Sequence, residues 1–304
     1  MPQAALPDLP LLRAGRMHAT LRAADGGRVA ALWREDEAGQ RIDVVVPMGD
    51  GAYEPTQWPK AGIYPLVPWS GRIRDARFPF GGRMIAVEPH PGSPHAMHGF
   101  GHRVPWRVVA LSQDRAELRL DHEPDAAPVH GWPWAFRATQ RLRLDPRGLE
   151  IAIEIVNSGD RPMPAGLGVH PFLVAGPADH VRFRATGLWT TDAEGCALSL
   201  TERPGLAAQR ASGFAAAGET IQYGGFGGEA TLRRADGLVV TVTSAPPLDF
   251  LVLHAPAGTP YACLEPVSHA ADAFNLAANG IAGAGARRLA PGEILAGRVR
   301  IALD

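Results

Sequence analysis

The chain has 304 residues, a hydrophobic fraction of 46% and a formal net charge of -1, with 30 basic residues against 31 acidic ones. A chain balanced in this way has no basic surface for electrostatic recruitment to nucleic acid or to an anionic membrane, so neither partner is expected. Its two cysteines, Cys196 and Cys263, are too few for a disulfide framework or a thiolate zinc site, and a reduced compartment is the simplest inference.

No targeting or membrane-spanning segment is expected. Residues Met1–Asp8 lack a basic region followed by an apolar run, and no later stretch is long and apolar enough to span a bilayer. We therefore expect a cytoplasmic protein. Lys60 is the only lysine and its neighbours are typical of a loop, which leaves little scope for Schiff-base chemistry.

Short segments with a period of two, bounded by glycine, proline or aspartate, dominate the chain and predict antiparallel strands. Near the N-terminus, Ala24–Gly27 is expected to form the turn of a hairpin. A looser segment from Trp58 to His102 is rich in proline, glycine and aromatic residues, and loops of this length usually serve a function. The strands expected before residue 103 are Met17–Ala23, Arg28–Arg34, Arg41–Pro47, Arg77–Phe80 and Arg83–Val87.

Regular alternation of apolar and polar residues resumes beyond this segment. It predicts most clearly a hairpin around the turn Asp145–Gly148. Residues 175–228 are the least regular part and carry many small side chains. One short helix is expected, within Ala270–Asn279. The later strands are expected at Trp106–Ser112, Ala116–Asp121, Phe136–Leu144, Leu149–Asn157, Glu229–Arg234, Leu238–Ser244, Leu248–His254, Tyr261–Leu264 and Ala296–Leu303.

The chain has no internal repeat, no low-complexity tract and no convincing linker, so residues 1–304 are expected to form a single domain. So many strands must bury their apolar faces against one another. This favours a large antiparallel all-β sandwich over an open sheet.

Four histidines lie close together in the looser segment: His90, His95, His98 and His102. They could ligate a metal, or one or two of them could bond to an oxygen-rich substrate. The prolines and glycines around them are unlike the rigid strands that usually carry a three-histidine metal site, so no bound metal is expected. His98 is the member expected to turn inward, whereas His90 and His102 are also compatible with a surface loop.

Three further residues are candidates for chemistry. His170, in the apolar stretch Gly166–Leu173, is either a proton donor or acceptor or a core histidine bonded to a carbonyl. Glu265 directly follows an apolar strand, where the fold would set its pKa, although glutamates also cap strands for structural reasons. Arg72 follows a proline-aromatic turn that would hold its guanidinium in place, whereas Arg74 is expected in solvent.

The sequence lacks the motifs that are typical of several other reaction classes. The chain has no nucleophile elbow, no glycine-rich phosphate loop followed by a helix and no dinucleotide fingerprint, and neither cysteine has an obvious activating partner. Cofactor-free acid and base chemistry is what remains.

Four stretches, taken in order, resemble one family. They are Pro68–Arg74 with Phe78–Gly82, His95–Phe100, Gly166–Phe172, and Cys263–Val267 with Asp272–Asn275. Together they resemble the aldose 1-epimerase (galactose mutarotase) family over most of the chain. The resemblance implies a large, mostly antiparallel β-sandwich with the sugar bound in an open cleft on one sheet, and it implies that neither a metal nor an organic cofactor is needed.

Position by position, the resemblance implies roles for four residues. Glu265 would be the general base that takes the proton of the anomeric hydroxyl, and His170 would be the general acid that protonates the ring oxygen as the C1–O5 bond breaks. Arg72 and His98 would bind the sugar near O5 and the anomeric oxygen.

Two departures from the family's pattern bear on the substrate. Gly71 stands where the family often has asparagine, and Glu219–Tyr223 stands where many members have a sugar-binding aspartate. Within that second stretch, Gln222 could act as the substrate-binding group instead. The identity of the sugar therefore stays open.

The function that the resemblance implies is a cofactor-independent mutarotase that interconverts the α and β anomers of an aldose. A small-molecule sugar would be its substrate, and the protein would be a monomer or homodimer. Three alternatives stay open: a non-catalytic carbohydrate-binding protein of the same fold; a histidine-rich metalloenzyme; and a hexose-6-phosphate 1-epimerase, if Arg74, Arg77 or Arg83 faces the cleft.

Overall fold

The computed structural model describes residues 9–57, 59–124, 131–211 and 220–304, the side chains of 206–211 excepted. Within these ranges the chain forms one short α-helix, α1 (Ala273–Ala278), two 3-10 turns at Arg74–Ala76 and Gly101–Arg103, and a long series of strands. The strands are β1 (Leu11–Ala14), β2 (Met17–Arg22), β3 (Arg28–Glu35), β4 (Arg41–Asp43), β5 (Ile63–Leu66), β6 (Arg72–Ile73), β7 (Arg77–Phe80), β8 (Arg83–Ala86), β9 (Ala96–Met97), β10 (Arg107–Leu111), β11 (Arg115–His122), β12 (Phe136–Asp145), β13 (Gly148–Asn157), β14 (Met163–Ala165), β15 (Gly168–Val174), β16 (His180–Thr191), β17 (Ala197–Ala211), β18 (Thr220–Gly224), β19 (Glu229–Arg233), β20 (Val239–Ser244), β21 (Phe250–His254), β22 (Tyr261–Val267), β23 (Arg287–Leu289) and β24 (Ile294–Leu303).

Most of the strands form two antiparallel sheets that share the long strands β16 and β17, and three further pairs, β6 with β9, β7 with β8 and β14 with β23, form small sheets of their own. One sheet runs β10-β11-β12-β13-β24-β20-β19, and the other runs β1-β2-β3-β5-β15-β22-β21-β18, with β4 beside β3. Residues His180–Phe183 of β16 pair with β19, and residues Gly187–Trp189 pair with β18. The strand therefore passes from one sheet into the other.

The apolar faces of the two sheets pack against each other. One continuous buried cluster contains Leu142 and Val299 from the first sheet and Leu21, Leu32 and Leu264 from the second. The large antiparallel β-sandwich expected from the strand pattern is confirmed. No helix in the described ranges is long and apolar enough to cross a membrane.

The hairpin of β12 and β13 shows why the pattern was informative. Its register runs from Phe136 opposite Asn157 to Asp145 opposite Gly148, as expected. The Asp145 carboxylate accepts a hydrogen bond of 2.8 Å from the backbone N–H of Arg147, a contact that closes such turns. The hairpin predicted at Ala24–Gly27 is confirmed as well, since β2 pairs with β3, and α1 lies within the predicted helical stretch.

The expectation for residues 175–228 was wrong in its described part. This segment carries β16 and β17, of 12 and 15 residues. The inward positions of β16 alternate regularly, but small residues such as Ala185 and Gly187 occupy some of them, beside Phe183 and Trp189. A hydrophobicity pattern registers large apolar side chains, so it understates a strand whose buried positions are partly filled by small ones.

Candidate active site

His170 and Glu265 face each other across two neighbouring strands. In the antiparallel pair of β15 and β22, Gly168 lies opposite Val267 and Phe172 opposite Cys263, which puts His170 opposite Glu265 between them. The His170 Nε2 atom lies 3.3 Å from Glu265 Oε1, and both side chains are almost fully buried. Two residues far apart in sequence therefore form one contact pair.

The pair belongs to a line of side chains that crosses the second sheet. Successive registers place Tyr64, His170, Glu265, Val252 and Gln222 side by side, and we call this line the acid–base row. Because side chains alternate between faces, these residues share one face of the sheet. The opposite face, with Val169 and Leu264, belongs to the main core.

A parallel line of side chains lies two residues along the same strands. It contains Phe172, Cys263, His254 and Thr220, and we call it the second row. The hydroxyl of Thr220 lies 2.8 Å from His254 Nδ1. Since two strand residues span about 7 Å, the second row lies roughly that far from the acid–base row on the same face.

A cavity of about 160 Å³ lies over the two rows. Its floor is made by strand residues, and its walls come from the looser segment, from His269 and from Ala271. The residues that line it are Lys60, Tyr64, Ser70, Gly71, Arg72, Met97, His98, His170, Phe172, Thr220, Gln222, Val252, His254, Glu265, His269 and Ala271. All five residues predicted for the site are brought together here: Arg72, His98, His170, Gln222 and Glu265.

A small two-stranded sheet positions Arg72 and His98. Arg72 of β6 lies opposite Met97 of β9, and the backbone N–H of Gly71 donates a hydrogen bond of 3.2 Å to His98 Nδ1. In the neutral ring this leaves the proton on Nε2, where it can be donated. Burial, followed by the charge of Arg72, holds the pKa of His98 well below its usual value.

The local backbone explains why glycine stands at position 71, one of the two departures from the family's pattern. Its φ is +64°, in the left-handed region, and a Cβ atom there would lie 3.0 Å from the Ala271 Cβ atom. A larger side chain would have to displace Ala271 or the backbone.

Burial sets the protonation of the central pair. It raises the pKa of Glu265 from 4.5 to about 8, against the opposing charge of Arg72. Burial, then the charges of His98 and His254, holds the pKa of His170 well below its usual value. Near neutral pH the pair therefore shares a single proton, and burial favours its residence on the carboxyl group.

Gln222 ties two walls of the cavity together. Its Oε1 atom accepts a hydrogen bond of 2.8 Å from the backbone N–H of Ala271, and its Nε2 atom donates one of 3.2 Å to the carbonyl of Gly195. Both ends of the side-chain amide thus have backbone partners, although the second N–H of Nε2 is still available to a ligand. Glu219, which the sequence placed beside it, lies outside the described residues.

The connection between β16 and β17, residues 192–196, is held over the cavity wall by side chains that the sequence did not assign. Arg74 Nη1 lies 2.7 Å from Asp192 Oδ2, and His95 Nε2 lies 2.9 Å from Glu194 Oε2. Arg74 was expected in solvent; 34% of its side chain is exposed, and it also lies 3.4 Å from the buried Asp272 carboxylate. We call this connection the 192–196 turn.

Sequence reasoning missed several lining residues. Lys60 stood out only as the single lysine, and Thr220 and His254 carried no local signal, because the register alone brings them beside Cys263. For Tyr64 the sequence favoured a place in the core, although a sugar ring could also stack on an aromatic side chain there. Its ring stacks on that of His170 with centroids 4.5 Å apart.

The described residues contain one group whose ligand atoms could hold a metal: His170, Cys263 and Glu265, within 4.8 Å of one another. None of the four histidines between His90 and His102 belongs to this group, and His95 among them is paired with Glu194. Burial and the charge of Glu265 raise the pKa of the Cys263 thiol well above its usual value, and burial keeps Glu265 protonated near neutrality. A metal would have to displace both protons, since thiolate and carboxylate are the ligating forms.

The chain is similar to known proteins over nearly its whole length. A family model described as "Aldose 1-epimerase" matches residues 11–302. The curated protein "Uncharacterized protein YphB" of Escherichia coli (strain K12) is 25% identical over 223 residues, which cover 70% of this chain and 74% of that protein.

Solved structures are similar in fold. A proposed aldose 1-epimerase from Escherichia coli K12 superposes with a TM-score of 0.80 at 22% identity, over 97% of this chain and 98% of that one. Galactose 1-epimerase from Lactobacillus acidophilus NCFM superposes with a TM-score of 0.71 at 14% identity, over 97% of this chain and 93% of that one.

Proposed function

Because the chain belongs to the aldose 1-epimerase family, we propose that it interconverts the α and β anomers of an aldose by acid and base catalysis, without a cofactor. The observation that carries this proposal is the contact of 3.3 Å between His170 Nε2 and Glu265 Oε1 at the floor of the cavity. An acid and a base side by side are what this reaction requires.

The requirement follows from the chemistry of the anomeric carbon. Ring opening removes a proton from the hydroxyl on C1 and delivers a proton to the ring oxygen on C1. Since both oxygens are bonded to the same carbon, the base and the acid must be neighbours. A pair fixed on adjacent strands of a sheet meets this condition, because the register holds the two groups in place.

In the forward step, the Glu265 carboxylate takes the proton of the anomeric hydroxyl and the His170 imidazolium gives its Nε2 proton to O5. The C1–O5 bond breaks and C1 becomes the carbon of an open-chain aldehyde. Rotation about C1–C2 presents the other face of the carbonyl to O5. Ring closure then reverses both transfers and gives the other anomer.

The number of protons held by His170 and Glu265 together does not change during this cycle. Before ring opening the shared proton is on His170, and after ring opening it is on Glu265. The second arrangement is the one that burial favours in the free protein. Arg72 lowers the pKa of Glu265, so its charge helps to populate the carboxylate that the closed sugar needs.

Arg72 and His98 have a second role in this proposal, as donors to the sugar oxygens. The guanidinium and the Nε2–H of the neutral His98 ring would bond to O5 and to the anomeric oxygen, where negative charge develops. Gln222 would contribute at most one N–H, since its other polar positions are bonded to Ala271 and Gly195.

Exchange spectroscopy by NMR on an aldose at anomeric equilibrium tests the proposal directly. We expect the protein to accelerate α–β exchange, and we expect Glu265→Gln and His170→Asn each to lower kcat by about 10²- to 10⁴-fold, the usual contribution of a positioned acid or base. Glu37→Gln and His180→Asn are matched controls, since both residues are exposed and outside the cavity. Unchanged exchange in the two cavity variants would refute the assigned roles, and binding of sugar without any exchange would favour a carbohydrate-binding protein.

A further inference from the structure

The acid–base row continues onto β3, where it includes a buried arginine. Val29 of β3 lies opposite Ile63 of β5, which puts the neighbouring Arg28 beside Tyr64. On its other side Tyr64 lies opposite His170 of β15. Arg28, Tyr64 and His170 therefore occupy successive places in one row, with the tyrosine in the middle.

The Tyr64 ring is packed between a guanidinium and an imidazole. The Cζ atom of Arg28 lies 4.4 Å from the centre of the tyrosine ring, and the centre of the His170 ring lies 4.5 Å from it with the two planes 25° apart. Both distances are close to the spacing of about 4.8 Å between neighbouring strands, as expected for side chains stacked along a row. The positive charge of Arg28 is thus one aromatic ring away from His170.

Arg28 is completely buried, yet its charge is not paired with a carboxylate of the described residues. Its Nε atom donates a hydrogen bond of 3.1 Å to the carbonyl of Asp25, whose carboxylate is paired with Arg22. Its Nη2 atom donates one of 3.3 Å to the hydroxyl of Tyr53, and its Nη1 atom has no hydrogen-bond partner among the described residues. A buried cation without a counter-ion is unfavourable, so the aromatic faces of Tyr64 and Tyr53 are its main stabilisation.

No hydrogen bond from the described residues holds the Nδ1 side of the His170 ring. A catalytic histidine is usually oriented by a hydrogen bond to the ring nitrogen that faces away from the reaction. The His170 ring instead lies against two aromatic rings, with its centroid 4.5 Å from that of Tyr64 and 4.7 Å from that of Phe172. Stacking therefore orients the imidazole, and whatever fixes Tyr64 also fixes His170.

We propose that Arg28 is a positioning residue for His170: through the Tyr64 ring it holds the imidazole beside Glu265, and its charge makes the imidazolium a stronger acid toward O5. The proposal rests on the mutarotase function, which makes His170 the acid. Arg28 is not among the residues that line the cavity, so it acts through Tyr64 without touching the sugar. A cation on one face of the tyrosine opposes a second cation on the other face, so the imidazolium gives up its proton more readily.

Arg28 is one of several groups that influence the protonation of His170. Burial is the largest cause that lowers the pKa of His170, followed by positive charges, of which Arg28 is one. Arg28 differs from the other cations in lying outside the cavity lining, so its removal changes His170 without changing the surface that a sugar meets. The charged and titratable groups around His170, besides Tyr64, are Glu265 and Cys263 of β22, His254 of β21, His98, Lys60 and Arg28.

The first test replaces Arg28 by methionine, which is apolar and of similar length. We expect kcat of Arg28→Met to fall about tenfold as the imidazole loses its orientation, with KM changed by less than about twofold because no contact with the sugar is lost. Arg34→Met is the matched control, since Arg34 is a half-buried arginine six residues along the same strand, about 20 Å away. An unchanged kcat in Arg28→Met, or equal losses in the two variants, would overturn the proposal.

The second test measures the pH dependence, which a merely structural role of Arg28 would leave in place. In Arg28→Met and Arg28→Gln, the acid side of the kcat/KM profile should move to higher pH by at least about 0.5 pH unit, because His170 loses a nearby positive charge. NMR titration of the His170 ring in the free protein should show the same shift, and Arg34→Met should show none. If the titration of His170 is the same in both neutral variants as in the wild type, the proposal is wrong.

Both neutral variants are expected to fold. Exchanging a buried, unpaired guanidinium for a side chain of similar size is often neutral or stabilising when the new side chain is apolar. Urea unfolding measures the stability of each variant, and Arg28→Gln keeps an N–H donor for the Asp25 carbonyl if Arg28→Met does not fold. Loss of folding in both would mean that Arg28 serves the fold, and the positioning role would be refuted.

The NMR titration separates this proposal from the proposed function, because it needs no turnover. If Arg28→Met shifts the titration of His170 but the wild-type protein accelerates no anomeric exchange, the influence of Arg28 on His170 stands and the mutarotase function fails. If the wild-type protein accelerates exchange and Arg28→Met matches it in kcat and in pH profile, the function stands and the role of Arg28 fails.

Discussion

His170 and Glu265 are two buried titratable groups whose proton is held in common. Burial displaces their pKa values in opposite directions, so that the pair takes up a second proton only well below the usual histidine range and loses its last proton at about pH 8. Between these limits the two arrangements of the shared proton interconvert without a change in net charge. The residue pair, and not either residue, is the titrating unit.

The first prediction concerns the pH dependence of activity. Because the active pair holds one proton, kcat/KM should be level around pH 7 and fall above about pH 8, where that proton is lost. On the acid side it should fall only well below pH 6.5, since burial depresses the pKa of His170. The measurement is the anomeric exchange rate across this range, corrected for buffer catalysis at each pH. A rate that rises through pH 8 would mean that Glu265 acts alone as base and would contradict the shared-proton mechanism.

At the scale of elements, the site depends on one register and one turn. The register of β15, β22 and β21 aligns the acid–base row and the second row. The 192–196 turn is held by Arg74 and His95, and it accepts a hydrogen bond from Gln222 through the carbonyl of Gly195. The turn is also next to Arg72, since a Cβ atom on Gly195 would lie 2.9 Å from Arg72 Nη1.

The second prediction tests this contact with Gly195→Ala. Gly195 has a φ of +83°, so alanine there costs about 1 kcal/mol in strain and also pushes against the Arg72 guanidinium. We expect kcat/KM to fall about tenfold as Arg72 is displaced from its position. Gly39→Ala is the control, because Gly39 has a φ of +78° and nothing within 4 Å of its would-be Cβ atom. Both variants should lose similar free energy of unfolding, and equal activity in the two would rule out a positioning role for the turn.

At the scale of the whole molecule, the buried carboxyl group lowers stability at alkaline pH. The folded-state pKa of Glu265, about 8, lies above the usual 4.5. The favourable contribution of the protonated group is fully present below pH 4.5 and is lost as the pH rises through about 8. The free energy of unfolding therefore depends on pH through this single carboxyl group.

The third prediction is that Glu265→Gln stabilises the protein at high pH. Since one pKa unit corresponds to about 1.36 kcal/mol, the free energy of unfolding of the variant should exceed that of the wild type by on the order of 4 kcal/mol at pH 8.5, and by little at pH 4.5. Urea unfolding at both pH values measures the difference. Exposed Glu37→Gln should show no such trend, and a constant difference across the range would argue against a raised carboxyl pKa.

Local pattern was sufficient for much of the architecture. The period of two predicts most strands and the β12–β13 hairpin because side chains of a strand alternate whatever its partners are. The same pattern did not reveal β16, because some of its inward-facing positions are small residues such as glycine, which add nothing to the hydrophobic alternation.

The local pattern could not predict features that depend on contacts between distant segments of the chain. The opposition of His170 to Glu265, and the arrival of Lys60, His254 and Thr220 at one cavity, are consequences of strand register, which no local stretch encodes. The protonation of the pair is likewise a tertiary property, since burial, and not residue type, moves its pKa values. The local alternation of apolar and polar residues therefore determines where the strands are. Only the packing of those strands against one another brings the site residues together.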